Sequence, residues 1–104
     1  MAAVLVYMTA GDRAEAVRIG RVLVEERLAA CANVLDGMTS IYRWQGEVCE
    51  DGEAVLIAKT TEAQADALTE RVKALHSYDC PCVVTLPVAG GNPAFLEWIA
   101  EQTG

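Results

Sequence analysis

Apolar residues run almost unbroken from Ala3 to Thr9 (AVLVYMT), the mark of a strand buried on both faces. The period then changes. Ala16, Val17, Gly20, Leu23, Val24 and Leu28 recur at helical spacing and form one stripe, with Arg13, Arg18, Arg21 and Glu25 largely outside it. Asp12 and Glu15 have the spacing of a capping box at the start of this helix. Strand formers return in Cys31–Trp44 and Glu47–Thr60: Ile41, Tyr42 and Trp44 in the first run, Val55, Leu56 and Ile57 in the second. Gln45-Gly46 between the runs reads as a hairpin turn. Asp36-Gly37 and Asp51-Gly52 are turn signals too, and we read them as bulges or bends within two long strands. A run of about fourteen strand residues extends roughly 46 Å at ~3.3 Å each. A 100-residue domain has a radius of gyration of only ~13 Å. The hairpin must therefore overhang its own subunit, and its tip needs a neighbour.

A second helix is expected after Thr60, with Thr61 and Gln64 at capping-box spacing and Ala65, Leu68, Val72 and Leu75 as its buried stripe. Cys82 to Val88 (CVVTLPV) is a further strand, and Pro87 assigns its end to an edge or irregularity. Gly90-Gly91 breaks the chain. Asn92 then caps a last helix that has Pro93 in its first turn and Phe95, Leu96, Ile99 and Ala100 as its packing face. Without linker or repeat, residues 1–104 read as one domain. The order βαββαβ plus a short C-terminal helix predicts an α+β, ferredoxin-like sandwich, with the two connecting helices on one sheet face. With its long central hairpin, such a chain is expected to form a symmetric oligomer by sheet-edge exchange.

Composition sharpens this. Of 104 residues, 53% are hydrophobic and eight more are glycine, above the ~45–50% that soluble domains average with glycine included. The excess belongs at subunit contacts. Eight Lys and Arg against fifteen Asp and Glu give a net charge of −7, so nucleic acid and anionic membrane are poor partners. No stretch approaches the ~20 apolar residues of a membrane span. Met1 to Met8 lacks the basic start of a signal peptide, so a cytoplasmic address is expected. Cys31, Cys49, Cys80 and Cys82 are read as reduced thiols.

Candidate chemistry is sparse. His76, the only histidine, sits at the end of the second helix, where it is either a metal ligand or general base, or a residue that caps the helix end. Cys80 and Cys82 near a histidine suit soft metals, although alternate strand positions equally describe a core face. Cys31 reads as a small buried hydrophobe. Cys49 lies in the acidic run Glu47 to Glu53, which lacks EF-hand spacing and reads as a solvated arm. Tyr42, Arg43, Trp44, Tyr78 and Trp98 are either the lining of a ligand cleft or interface anchors. Gly90-Gly91-Asn92-Pro93 reads as a corner rather than an anion site. No Walker loop, Rossmann fingerprint or serine elbow occurs, and the chain is expected not to be an enzyme.

Several blocks together resemble the CutA divalent-cation tolerance family. They are Leu28-Ala29-Ala30-Cys31-Ala32-Asn33-Val34, Ser40-Ile41-Tyr42-Arg43-Trp44-Gln45-Gly46, Lys59-Thr60-Thr61, His76-Ser77-Tyr78 and Gly90-Gly91-Asn92, in the family's order from Val4 to Ile99. The resemblance implies a cytoplasmic, non-catalytic homotrimer tied to metal tolerance and binding copper or another divalent ion. Its likeness to trimeric PII signalling proteins implies an alternative, a small-molecule sensor at the subunit clefts. A copper site carried over from bacterial members falls on Met8, at the thiol position ending the first strand, and on Leu75 and His76, at a histidine pair. Leu75 offers no ligand, and Met8 keeps a soft sulfur suited to Cu(I). With Cys82, which is family-like after Pro81, the expected metal set is His76, Met8 and Cys82.

Overall fold

A computed structural model describes residues 2–104; of the domain read over 1–104, Met1 lies outside the described residues. The elements are β1 (Ala3–Ala10), α1 (Arg13–Glu25), β2 (Cys31–Trp44), β3 (Glu47–Thr61), α2 (Glu62–Leu75), β4 (Val83–Pro87) and α3 (Pro93–Glu101). They form the expected α+β plan, a four-stranded sheet in the order β2-β3-β1-β4 with every neighbouring pair antiparallel. β1 pairs on both sides, which explains its unbroken apolar run. Val4, Val6, Met8 and Ala10 face α1 and α2, where they pack with Ala16, Ile19, Leu23, Leu68 and Val72. β4 pairs only with β1, and Pro87 ends it on that free edge.

The buried stripe of α1 differs from the expected one. Ile19 is in the core, whereas Val17 is half-buried and Val24 is exposed. The helix is rolled so that Gly20 meets the sheet. A Cβ at that position would stand 3.1 Å from Leu56 Cδ1 and 3.3 Å from Ala32 Cβ. Close approach at Gly20 thus centres the stripe on residues 16, 19, 20 and 23 and pushes Val17 and Val24 toward its rim.

The N-terminal caps also diverge in part. Asp12 accepts from the Glu15 amide at 2.8 Å as expected, but the Glu15 carboxylate reaches past it to the Gly11 amide. Thr61 does not cap α2 with its side chain. It is still paired with Ala3 in the sheet, and the first amide of α2, on Glu62, donates to the Ala2 carbonyl at 2.8 Å. Asn92 caps α3 by accepting from the Ala94 amide, with Pro93 in the first turn.

In the hairpin, Gln45 (φ 50°) and Gly46 (φ 83°) form a two-residue turn whose positive φ values match the strand twist. Leu35 pairs with Val55, but the next pair is Met38 with Glu53. Asp36 and Gly37 (φ 79°) therefore oppose Ala54 alone, in a bulge. Asp51-Gly52, expected to bend as well, stays in register with Ser40 and Thr39. One extra residue on β2 is the whole irregularity, so β3 has nothing to absorb. The bulge puts Leu35 and Met38 on the same sheet face.

That face is the one turned away from α1 and α2. At its Ala3 end it is covered by α3, through Ile99 on Ala3 and Ala30 with Leu96 alongside. Phe95, expected to pack inward, is instead exposed against Trp98 at 5.5 Å between ring centroids. Elsewhere the face carries Leu5, Tyr7, Ile57, Leu35, Val84 and Leu86, with Leu35 60% and Leu86 48% exposed. The hairpin draws the molecule out to 44 × 25 × 22 Å.

Replacing Gly20 with Val inserts atoms where none fit, and over-packing of this kind costs about 1–3 kcal/mol. Denaturant melts should show Gly20→Val well below wild type, while Val24→Ala on the helix rim changes little.

Candidate functional site

Beyond the bulge, Tyr42 and Trp44 share the helix-free face with Asp51 and Glu53 across the ladder. They overhang the end of β1 and the segment between α2 and β4. Together these enclose a cavity of about 580 Å³ lined by Thr9, Tyr42, Trp44, Asp51, Glu53, Tyr78, Asp79, Cys80 and Cys82. Three carboxylates, two thiols and three aromatic rings meet there, and no cationic side chain lines it. A second groove of about 510 Å³ lies between the exposed rim of α1 and β2, with Arg13, Arg21 and Val24 on its walls.

Two tyrosines hold the arm's carboxylates. The Tyr42 hydroxyl donates to Asp51 Oδ2, and Tyr78 donates to Glu53 Oε2 at 2.8 Å. The hydrogen bond to Asp51 pushes Tyr42 up to about 12. Burial, then the bond to Glu53, raises Tyr78 further. Burial and the Glu53 charge raise the Cys82 thiol, against a hydrogen bond with the Thr9 side chain.

The expected metal residues are not brought together. The His76 side chain is 1% exposed. Its Nδ1 accepts from the Tyr78 amide at 3.0 Å, which assigns the ring proton to Nε2, and Nε2 lies 2.8 Å from the Thr9 carbonyl it donates to. Neither nitrogen keeps a lone pair for a cation. Met8 is 1% exposed and packed on the helix side of the sheet. Only Cys82 reaches the cavity. Among the described residues no three of His, Cys, Asp and Glu are grouped so as to hold a metal ion. The geometry makes His76 a tie between the end of α2 and β1.

Glu15 braces the same junction. Its carboxylate accepts from the Gly11 amide at 3.0 Å and from the Ser77 amide and hydroxyl at 2.8 and 3.0 Å. Burial alone would raise its pKa, but these bonds outweigh it and hold the carboxyl below its ordinary value.

Of the aromatic residues singled out in the sequence, Tyr42, Trp44 and Tyr78 line the cavity. Arg43 alternates to the other sheet face, and Trp98 lies on α3 beside Phe95. Cys31 and Cys49 are half-buried away from it. Sequence reasoning missed Thr9 and Asp79 and read Asp51 and Glu53 as merely solvated. The pairing Ser40↔Asp51 set by the Gln45-Gly46 turn is the signal that could have placed the two carboxylates opposite the aromatic arm.

His76→Ala should leave the Thr9 carbonyl and Tyr78 amide without partners, at a cost of about 1–3 kcal/mol each where buried. Thermal unfolding should show a large loss, and ¹⁵N spectra of wild type should show the Nε2–H form. Glu15 stabilises the fold above the ordinary carboxylate pKa, and that contribution is lost as pH falls through its depressed folded value. The gap in stability between wild type and Glu15→Gln should therefore be widest near neutrality and narrow as pH falls below the ordinary glutamate range, measured by denaturant melts across pH.

The model of the CutA1 divalent ion tolerance protein family matches residues 4–102. The "Divalent-cation tolerance protein CutA" of Thermus thermophilus is 53% identical over 100 residues, covering 96% of this chain and 97% of that protein. The "Protein CutA 1, chloroplastic" of Oryza sativa is 45% identical, but this chain spans only 56% of its length. The solved structure of the Thermus protein superposes with a TM-score of 0.96 at 52% identity, covering 98% of this chain and 99% of that one. CutA1 from Oryza sativa superposes with a TM-score of 0.97 at 43% identity, covering 100% and 95%.

Proposed function

The chain belongs to the CutA1 divalent ion tolerance family, and on that premise we propose a non-catalytic homotrimer that acts in cation tolerance by binding copper or another divalent metal in the pocket under the hairpin. The observation that carries this reading is the charge of the pocket's lining: Asp51, Glu53 and Asp79, with the thiols of Cys80 and Cys82 and no Lys or Arg, attract a cation, although no three of them stand as a preformed ligand set. Of the expected set His76, Met8 and Cys82, only Cys82 fits a metal, because the imidazole nitrogens are engaged and the thioether is buried. Assembly is supported by the bare apolar sheet face and the exposed tip residues Ile41, Trp44 and Val48. The reading as a non-catalytic protein rests on His76, which has no nitrogen left to act as a base. Four free thiols suit the reducing cytoplasm, where we place it.

The aromatic walls formed by Tyr42, Trp44 and Tyr78 favour a second reading, a PII-like sensor that takes a small molecule in the same pocket.

Sedimentation equilibrium should give three times the 11.1 kDa chain mass. Anaerobic thermal-shift measurements should show stabilisation by divalent metals, with copper above zinc as the Irving–Williams order requires. A stable monomer would sink the assembly. Stabilisation by a metabolite and by no metal would replace the cation reading with the sensor.

A further inference from the structure

Three aromatic rings, from Tyr42, Trp44 and Tyr78, and three carboxylates, from Asp51, Glu53 and Asp79, line one cavity of about 580 Å³ with no cationic side chain among them. We infer that this cavity binds a linear aliphatic polyamine, whose ammonium groups meet the carboxylates while its methylene segments lie against the rings. The assignment rests on the small-molecule reading above and names its ligand class.

Asp51 and Glu53 are alternate residues of β3, so their side chains leave the same face about 6.6 Å apart. That separation is close to the span between the nitrogens of a four-carbon diamine. Each carboxylate gives one oxygen to a tyrosyl hydroxyl, Asp51 Oδ2 to Tyr42 and Glu53 Oε2 to Tyr78. Oδ1 and Oε1 have no partner among the described residues and are left to accept ammonium N–H groups. The Glu53 charge acts on both phenols, so the two tyrosines close on the same carboxylate. Both phenols are held protonated, which keeps the rings neutral and their faces attractive to a cation.

A bare metal ion needs several donors converging on one point, and among the described residues no three of His, Cys, Asp and Glu are grouped that way. A polyamine spreads its charge over nitrogens set apart along a chain and needs no such convergence. The cavity is also far larger than one ion fills, and lies within the ~300–1,000 Å³ usual for small-molecule sites. A chain of net charge −7 attracts cations of every kind. The rings are what distinguish a cation with an apolar body from one without.

The test is calorimetric titration of spermidine into the full chain in its native assembly, at about 0.15 M salt to screen non-specific attraction. Binding should saturate at one spermidine per chain. Hexaamminecobalt(III), which has the same charge and no methylene segment, should bind at least tenfold more weakly. That comparison tests the rings without any substitution. Asp51→Asn and Trp44→Leu should each weaken spermidine at least fivefold. Glu97→Gln on α3, outside the cavity, removes the same charge as Asp51→Asn and should bind as wild type does. Asp51 is exposed on the arm, so Asp51→Asn without ligand should melt with wild type. The inference is overturned if spermidine shows no saturable binding, if the cobalt complex binds as tightly, or if Glu97→Gln weakens spermidine as much as Asp51→Asn. Stabilisation by a metabolite without amino groups, with spermidine inert, would sink the polyamine and leave the small-molecule reading standing. Divalent stabilisation with no metabolite bound at all would remove both.

Discussion

A mismatch in length governs this molecule. α1 and α2 contain 13 and 14 residues, and helices of that size cover only about 20 Å. β2 and β3 contain 14 and 15 residues, which in extended form run to more than twice that. The helices can therefore protect only the base of the sheet. There β1 and β3 put Val6, Met8, Leu56 and Ala58 beneath them. Past that base the hairpin has no roof, and residues 41–48 are all exposed. The bare face and the overhang of the cavity both arise from the same excess of strand over helix.

How the excess is used depends on a single inserted residue. Strand side chains alternate, so a ladder without irregularity would send Ile41 and Arg43 to the face now occupied by Tyr42 and Trp44. The bulge at Asp36 and Gly37 reverses that parity on β2 alone, while β3 continues undisturbed. Two aromatic rings are thereby set on the same face as Asp51 and Glu53 and over Cys80 and Cys82. Gly37 sustains the bulge because its φ of 79° lies where side chains are strained.

The sequence was most legible where the determining chemistry is local. The Gln45-Gly46 turn, the Asp12 and Asn92 caps and the edge position of Pro87 each depend on neighbours within a few residues. Periodicity alone misplaced the stripe of α1, since the roll of that helix is set by its contact at Gly20 with Leu56 and Ala32, far along the chain. Thr61 carries a cap signal but remains bound by β1, so tertiary pairing overrode the local preference. The pocket was harder still. It gathers residues from β1, both arms of the hairpin and the segment after α2, and its composition follows from a register shift that hydrophobic pattern does not encode. His76 was legible as a residue at a helix end, but its bonds to Thr9 and Tyr78 decide what its ring can do.

The bond from Tyr78 to Glu53 joins the hairpin arm to the segment that follows α2. Glu53 is the first paired residue of the arm beyond the bulge, and Tyr78 belongs to the short segment that carries both thiols to β4. The hairpin is in mechanical terms a cantilever: its fulcrum lies at Gly37, and a tie rod sits close beside that fulcrum. Leverage works in reverse at such a point. A wide sweep of the tip becomes a small displacement at Glu53, so the sulfurs are geared down from whatever the arm encounters.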